Sequence, residues 1–294
     1  MKHNQFRQVV FPIITAMIWG SSFVAQSTST EHVGAYTFNA ARSFVGFLAL
    51  LVVVQIFKML RKEPPAEQTA AEKKAGRKDL ILGGICCGIA LCAASAAQQM
   101  GIGTTSTAKA GFMTALYVVL VPVFGVFFGR RPGVKLWCCV AASVVGLYLL
   151  CLAGHDSLTL TGGEWQLLGC AFLFATQILL VDHFSPKLDG IQLSFVQFLT
   201  VAVISTVFML IFEQPTIEQF RLAAVAIAYC GIMSSGVAYT LQIVGQKALD
   251  PTIASLAMCL ESVFSALAGW LILGETLSTT ELCGCGLMFA AIVA

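Results

Sequence analysis

The sequence predicts an all-α membrane protein with about ten transmembrane helices. Of its 294 residues, 57% are hydrophobic and only 11% are charged, whereas about 25% of the residues of a typical soluble domain are charged. Apolar runs of roughly 20 residues, the length that a helix needs to cross a bilayer, recur along the chain. The charged residues are concentrated between these runs. This combination is typical of a polytopic membrane protein.

Ten apolar runs are candidate spans. Their predicted limits are Val9–Ser27, Tyr36–Phe57, Leu80–Gln99, Thr107–Phe128, Val134–Ala153, Trp165–Asp182, Ile191–Phe212, Leu222–Gln242, Thr252–Leu273 and Glu281–Ala294. The last run is short for a span, so either its helix ends at the membrane face or the chain is truncated. The first run is long enough to be a span, so we predict no cleavable signal peptide.

The distribution of basic residues predicts the orientation, because cytoplasmic loops of membrane proteins carry an excess of Lys and Arg. With the N-terminus inside, 14 of the 17 basic residues fall on the cytoplasmic side. Lys109 and Arg221 fall outside, and Arg42 lies within a span. We therefore expect a multi-pass protein of the plasma (bacterial inner) membrane with both termini in the cytoplasm.

Residues 61–79, RKEPPAEQTAAEKKAGRKD, form the longest polar stretch. Two prolines and dense charge predict a flexible cytoplasmic linker. Contact between its lysines and lipid headgroups is a secondary interpretation. No polar stretch is long enough to form a soluble domain with an activity of its own.

Two halves of the chain are predicted to be structural repeats, 1–154 and 155–294, each with five helices. A shift of 145 residues brings identical residues together in several places. The coinciding pairs include Thr107 with Thr252, Met113 with Met258, Gly129 with Gly274 and Cys138 with Cys283. An odd number of helices per repeat inverts the second copy in the membrane. Inverted repeats are the plan of many secondary transporters, whose binding site lies near the midplane between the repeats.

One acid, Glu261, lies near the middle of the apolar stretch Asp250–Glu275. A charge at the centre of a transmembrane helix costs at least ~2.5 kcal/mol, so such a residue is a candidate functional residue. It would bind a substrate ammonium group or carry a coupling proton. The alternative is a protonated or hydrogen-bonded glutamate that only holds helices together.

Other polar residues within the spans are candidates for binding a polar solute, which must exchange its water for protein hydrogen bonds. The predicted substrate-binding set is Trp19, Ser22, Asn39, Arg42, Gln98, Gln99, Tyr117, Gln177, Tyr239, Gln242 and Glu261. Ser21, Gln26 and Gln197 are further polar candidates. The guanidinium group of Arg42 fits the two oxygens of a carboxylate. The alternatives are a packing role for Trp19, helix–helix hydrogen bonds for the glutamines, and snorkelling towards the membrane surface for Arg42.

Enzyme motifs are absent from the sequence: it contains no His-Glu-x-x-His, no Gly-x-Ser-x-Gly and no Walker A pattern. The 11 cysteines and 4 histidines form no metal-binding pattern, so we predict neither a metal nor a cofactor, and no nucleic-acid partner. The expected partners are the lipid bilayer and a small polar metabolite. A channel and a membrane scaffold without transport activity are the alternatives to a transporter.

Four segments resemble one known family. They are MIWGSSFV at 17–24, AARSFVGFLAL at 40–50, GFMTALYVVLVPVFGVFFGRRP at 111–132 and LAMCLESVFSALAGWLILGETL at 256–277. They resemble the first, second, fourth and ninth helices of EamA-type members of the drug/metabolite transporter superfamily. The resemblance implies ten helices in two inverted repeats around a central cavity. It also implies secondary transport of small polar metabolites, often amino acids, usually outward.

The sequence departs from the family pattern at Ser262, where the family often has proline after the glutamate. We therefore expect a straighter ninth helix. Pro122 in the fourth helix is a predicted kink site.

Overall fold

The structure, a computed structural model, describes residues 3–60, 70–105, 107–153, 162–273 and 276–294. In these ranges the chain is helical throughout, apart from turns and short connections, and contains no strand. The α-helices are α1 His3–Ser29, α2 Ala35–Leu60, α3 Ala70–Ile102, α4 Thr107–Ala115, α5 Tyr117–Phe127, α6 Val134–Cys151, α7 Gly162–Phe184, α8 Gly190–Phe212, α9 Ile217–Tyr229, α10 Tyr239–Gln246, α11 Pro251–Met258, α12 Glu261–Ala268 and α13 Thr279–Val293. The prediction of an all-α membrane fold is confirmed.

Nine helical segments in the described ranges are long and apolar enough to cross a bilayer. Three of these spans are composite: the fourth joins α4 and α5, the eighth runs from α9 to α10, and the ninth joins α11 and α12. The tenth predicted span corresponds to α13, which has 15 residues. At ~1.5 Å per residue α13 is about 22 Å long, shorter than the ~30 Å hydrocarbon core. The count of ten therefore stays a prediction.

The predicted linker 61–79 is only partly correct. Residues 61–69 lie outside the described residues, as does the predicted repeat boundary between residues 154 and 155. Residues 70–79 belong to the first turns of α3. The physical reason is their composition, since Ala, Glu, Lys and Arg are strong helix formers. The helix therefore begins well before its apolar part.

The ninth span contains a tightened turn, which we call a break, although its residues keep right-handed helical dihedral angles. The expectation of a straighter helix there stays a prediction. A turn at Cys259 and Leu260 separates α11 from α12. At this turn Ser262 N donates to Cys259 O at 3.3 Å, and Cys259 Sγ donates to Leu256 O at 3.0 Å. Side-chain donors that compete for backbone carbonyls disturb a helix without any proline. A tightened turn therefore forms here without a proline at position 262.

The fourth span is broken as well, at Leu116, between α4 and α5. Leu116 N donates to Met113 O at 3.3 Å, an i to i−3 bond that tightens the turn. Pro122, the predicted kink site, lies inside α5 and not at this break. The fourth and ninth spans thus both contain a tightened turn near their middles, and α4 packs against α12.

The eighth span contains a π-helical segment, Cys230–Ala238, between α9 and α10. π-Helical segments within α-helices are frequent at functional sites. This segment packs against α2, where an added Cβ on Gly46 would meet Ser235 and the carbonyl oxygen of Gly231. The missing side chain of Gly46 therefore allows the two backbones to approach closely.

The packing brings the two halves of the chain together. Helix α2 packs against α8, α6 against α13, and α3 against both α7 and α8. Helix α1 packs against α12 at Gly20, where a Cβ would collide with Phe264 Cβ and the carbonyl oxygen of Glu261. The two halves are thus interleaved, and the centre of the bundle lies between them.

The ends of the bundle are held by polar contacts. We call the end where α1 begins and α13 ends the terminal end, and the other the opposite end. At the opposite end, Lys109 Nζ lies 2.9 Å from Glu164 Oε1, and both side chains are buried. At the terminal end, Arg130 forms an ion pair with Asp182, and its Nη1 lies 3.6 Å from Asp250 Oδ2. The fourth and sixth spans are therefore linked by an ion pair at each end of the bundle.

Candidate functional site

A cavity lies at the centre of the bundle, where α1, α2, α3, α7, the eighth span and the two broken spans meet. It is lined by Trp19, Phe23, Gln26, Arg42, Gln98, Thr114, Tyr117, Phe174, Gln177, Ile178, Ser234, Tyr239, Gln242 and Glu261. The space between the lining atoms adds up to about 420 Å³, but it is divided into crevices hardly wider than a water molecule. A metabolite would enter only if these side chains or helices moved.

Most of the predicted substrate-binding residues meet at this cavity. Those that line it are Trp19, Arg42, Gln98, Tyr117, Gln177, Tyr239, Gln242 and Glu261. Ser22, Asn39 and Gln99 are buried but lie behind the lining. Ser22 Oγ donates to Ile18 O at 2.6 Å, and Gln99 Nε2 donates to Gln26 O at 3.1 Å. The bond of Ser22 lies within α1, and the bond of Gln99 joins α3 to α1, so both residues have a structural role here.

Arg42 provides the positive charge of the cavity and is only 4% exposed. Its Nε donates to Asn39 Oδ1 at 2.9 Å, and its Nη1 donates to Gln26 Oε1 at 3.4 Å. The guanidinium group also lies over the ring of Phe38, 5.4 Å from the centroid. These partners are all neutral, and among the described residues Nη2 has no hydrogen-bond partner. Asn39 therefore orients Arg42 and does not itself face the cavity.

Glu261 is the acidic residue of the cavity and is 3% exposed. It is the first residue of α12, directly after the break in the ninth span. Its Oε1 has no hydrogen-bond partner among the described residues. The hydroxyl of Tyr117 lies beside this carboxyl group but is itself without a bond of hydrogen-bonding geometry. Arg42 and Glu261 thus border the same cavity, and the structure shows no ion pair between them.

Three glutamines form a chain of amides at one wall. Gln242 Nε2 donates to Gln177 Oε1 at 3.1 Å, and Gln177 Nε2 donates to Gln197 Oε1 at 3.2 Å. All three are fully buried, and they come from α10, α7 and α8. Gln242 Oε1 is left without a partner at the cavity end of the chain. The row of glutamines therefore leaves one amide oxygen, that of Gln242, free to accept a hydrogen bond in the cavity.

Aromatic rings cover another wall. The rings of Trp19 and Tyr239 are 4.6 Å apart between centroids, and Tyr239 also packs edge-on against Phe198 at 5.4 Å. Trp19 thus makes the packing contact that was the alternative to binding, but it also faces the cavity. Its Nε1 has no hydrogen-bond partner among the described residues.

Gln26, one of the further polar candidates, also lines the cavity. Five lining residues were not among the candidates: Phe23, Thr114, Phe174, Ile178 and Ser234. A signal existed for Thr114, which precedes Tyr117 by three residues and would share its helix face. Phe23 follows Trp19 by four residues and precedes Gln26 by three, so it would share their helix face. No sequence signal indicated the π-helical segment that places Ser234 at the cavity.

Comparisons with known proteins agree with this fold. The sequence model described as the EamA-like transporter family matches residues 7–152 and again residues 161–294. A relative from Archaeoglobus fulgidus, named an uncharacterized transporter, is 25% identical over 287 residues, covering 95% of this chain and 82% of the relative. A protein of known crystal structure superposes with a TM-score of 0.76 over 98% of this chain and 95% of its own, at 16% identity.

Proposed function

The chain belongs to the EamA-like transporter family, and from this membership we propose that it exports small polar metabolites, such as amino acids or related compounds, by alternating access. It is a multi-pass membrane transporter, as the family and the relative named as a transporter indicate. The substrate class, the direction and the mechanism are our proposal. So is the arrangement as two inverted repeats, which the two matches of one family model support.

The observation that carries the proposal is that an arginine and a glutamate line one buried cavity with no ion pair between them. Burying an ion without a partner costs several kcal/mol, so a protein selected only for stability would pair these charges or replace them. Arg42 and Glu261 instead have neutral neighbours and face the same space. A zwitterionic metabolite carries the two complementary charges. Its carboxylate would bind Arg42, and a positive partner would bind at Glu261.

The alternatives have less support. A channel needs a continuous polar path, whereas this cavity is narrow and lies between two ends held by ion pairs. A scaffold needs no buried charges at its centre, and these are costly in a membrane. Cytoplasmic termini in the plasma membrane complete the proposal, on the evidence of the basic residues at the terminal end.

The test begins with cells that overexpress the protein and cells that lack it. We expect a small polar metabolite to accumulate outside only the overexpressing cells. The same compound should then cross the membrane of liposomes that contain the purified protein. Equal metabolite profiles and no flux would contradict the proposal, and single-channel currents would favour a channel.

A further inference from the structure

The two broken spans meet at Glu261. Tyr117 is the first residue of α5 and Glu261 the first residue of α12, so each follows directly on a break. In both spans the preceding helix, α4 or α11, ends at the break. The side chains of Tyr117 and Glu261 are therefore placed at these turns, where the hydroxyl group of Tyr117 lies beside the carboxyl group of Glu261.

Oxygen atoms without partners collect at this point. Thr114 Oγ1, Tyr117 Oη and Glu261 Oε1 all lack a hydrogen bond among the described residues. Their residues are 1%, 2% and 3% exposed, and all three line the cavity. Ser262 Oγ, also without a partner, lies next to Gly111 on α4. A buried polar group without a partner costs about 1–3 kcal/mol, so these oxygen atoms are available to a ligand.

We propose that a sodium ion binds among Glu261, Thr114 and Tyr117, with Ser262 as a fourth oxygen donor. The donor atoms are all oxygen, which hard cations prefer. One carboxylate balances one positive charge, whereas a divalent ion would leave an excess charge in a medium of low dielectric constant. The site contains neither histidine nor cysteine, so no metal-binding sequence pattern marks it.

A proton on Glu261 is the competing explanation, and it differs in the atoms that it uses. Protonation gives the carboxyl group one O–H donor, which can bond one neighbouring oxygen atom but not several at once. A sodium ion uses the hydroxyl oxygens together with the carboxylate. Removing a hydroxyl group while keeping Glu261 therefore distinguishes the two.

Sodium binding can be measured without any transport. Its failure would leave the proposed export of metabolites untouched, and a failure of export would leave the site untouched. If both hold, sodium and the positive group of the substrate bind Glu261 in turn, and this exchange couples the sodium gradient to the movement of substrate.

The experiment titrates the purified full-length protein in detergent with sodium chloride. N-methyl-D-glucamine chloride keeps the ionic strength constant, and potassium chloride is titrated in parallel. We expect saturable binding of radioactive sodium and a saturable rise in the unfolding temperature with sodium only. No saturable effect on the wild-type protein, or an equal effect of potassium, would overturn the proposal.

Variants locate the site. Thr114→Val and Tyr117→Phe keep the shape of the side chain but remove its hydroxyl group. We expect each to raise the half-saturating sodium concentration at least tenfold, and Glu261→Gln to abolish the effect. Thr206→Val is the matched control, because Thr206 lies on α8 and bonds Ala202 O at 2.7 Å. If Thr114→Val and Tyr117→Phe bind sodium as the control does, the ion is not held here.

Discussion

Replacing Arg42 with lysine tests the proposed contact with a substrate carboxylate. Lysine keeps the positive charge but not the planar fork of donors. In the wild-type protein, Nε donates to Asn39 and Nη1 donates to Gln26. These two bonds fix the orientation of the guanidinium group and leave Nη2 to donate to the substrate. A lysine ammonium group that reached the same neutral partners would be turned away from the substrate.

The expected loss is about one charge-assisted hydrogen bond. Such a bond is worth about 1.5–3 kcal/mol, and each 1.4 kcal/mol is a factor of ten. The apparent KM for a carboxylate-bearing substrate should therefore rise about 10- to 150-fold. Arg42→Ala should lose more, because Asn39 and Gln26 then lose their donor as well.

Flux into liposomes, normalised to folded protein, measures this change. Arg221→Lys is the matched control, because Arg221 is 75% exposed at its side chain and bonds only Glu218 in the structure. The control should transport as the wild type does. If Arg42→Lys and Arg42→Ala also keep a normal KM and normal expression, Arg42 is a packing residue and the carboxylate binds elsewhere.

Three further predictions concern other parts of the chain. Glu261→Gln should fold and insert but lose most transport, with a weaker pH dependence in what remains; a wild-type pH profile of flux would remove Glu261 from the mechanism. A reporter fused after residue 70 should be cytoplasmic and one near residue 158 should be outside, and detection of both on the same side would refute the five-plus-five plan. Glu213→Ala should lower the free energy of unfolding by about 1–3 kcal/mol, since the carboxylate of Glu213 accepts three hydrogen bonds at the start of α2. Glu218→Ala, at the same end but exposed, should change it by less than about 0.5 kcal/mol in the same denaturation experiment.

The spans could be predicted from the sequence because each depends on a local property, the length of an apolar run. The cavity lining could be predicted in large part for a similar reason. A polar residue within a span is costly, so residues such as Glu261 and Gln242 were candidates from composition alone. Which of them face the cavity depends on helix rotation, and this separates Gln98, which lines it, from its neighbour Gln99, which bonds α1.

The breaks in the spans could not be predicted because they do not follow from the usual signals. Pro122 lies within a helix, whereas the break before it falls at Leu116. The break at Cys259 lies two turns after Pro251, and a thiol donates there to a carbonyl one turn back. Such competition is decided by the surrounding packing and not by the local sequence.

The ion pairs at the two ends restrict how the cavity can open. The fourth and sixth spans are joined by Lys109 and Glu164 at one end and by Arg130 and Asp182 at the other, so they move most easily as one unit. Arg130 also approaches Asp250 at the start of the ninth span, at 3.6 Å, with the side chains of both about 40% exposed. A solvent-exposed ion pair is worth only about 0–1 kcal/mol, whereas the buried pair of Lys109 is costly to break. Opening at the terminal end is therefore expected to separate the ninth span from the fourth and sixth, directly below the break that carries Glu261.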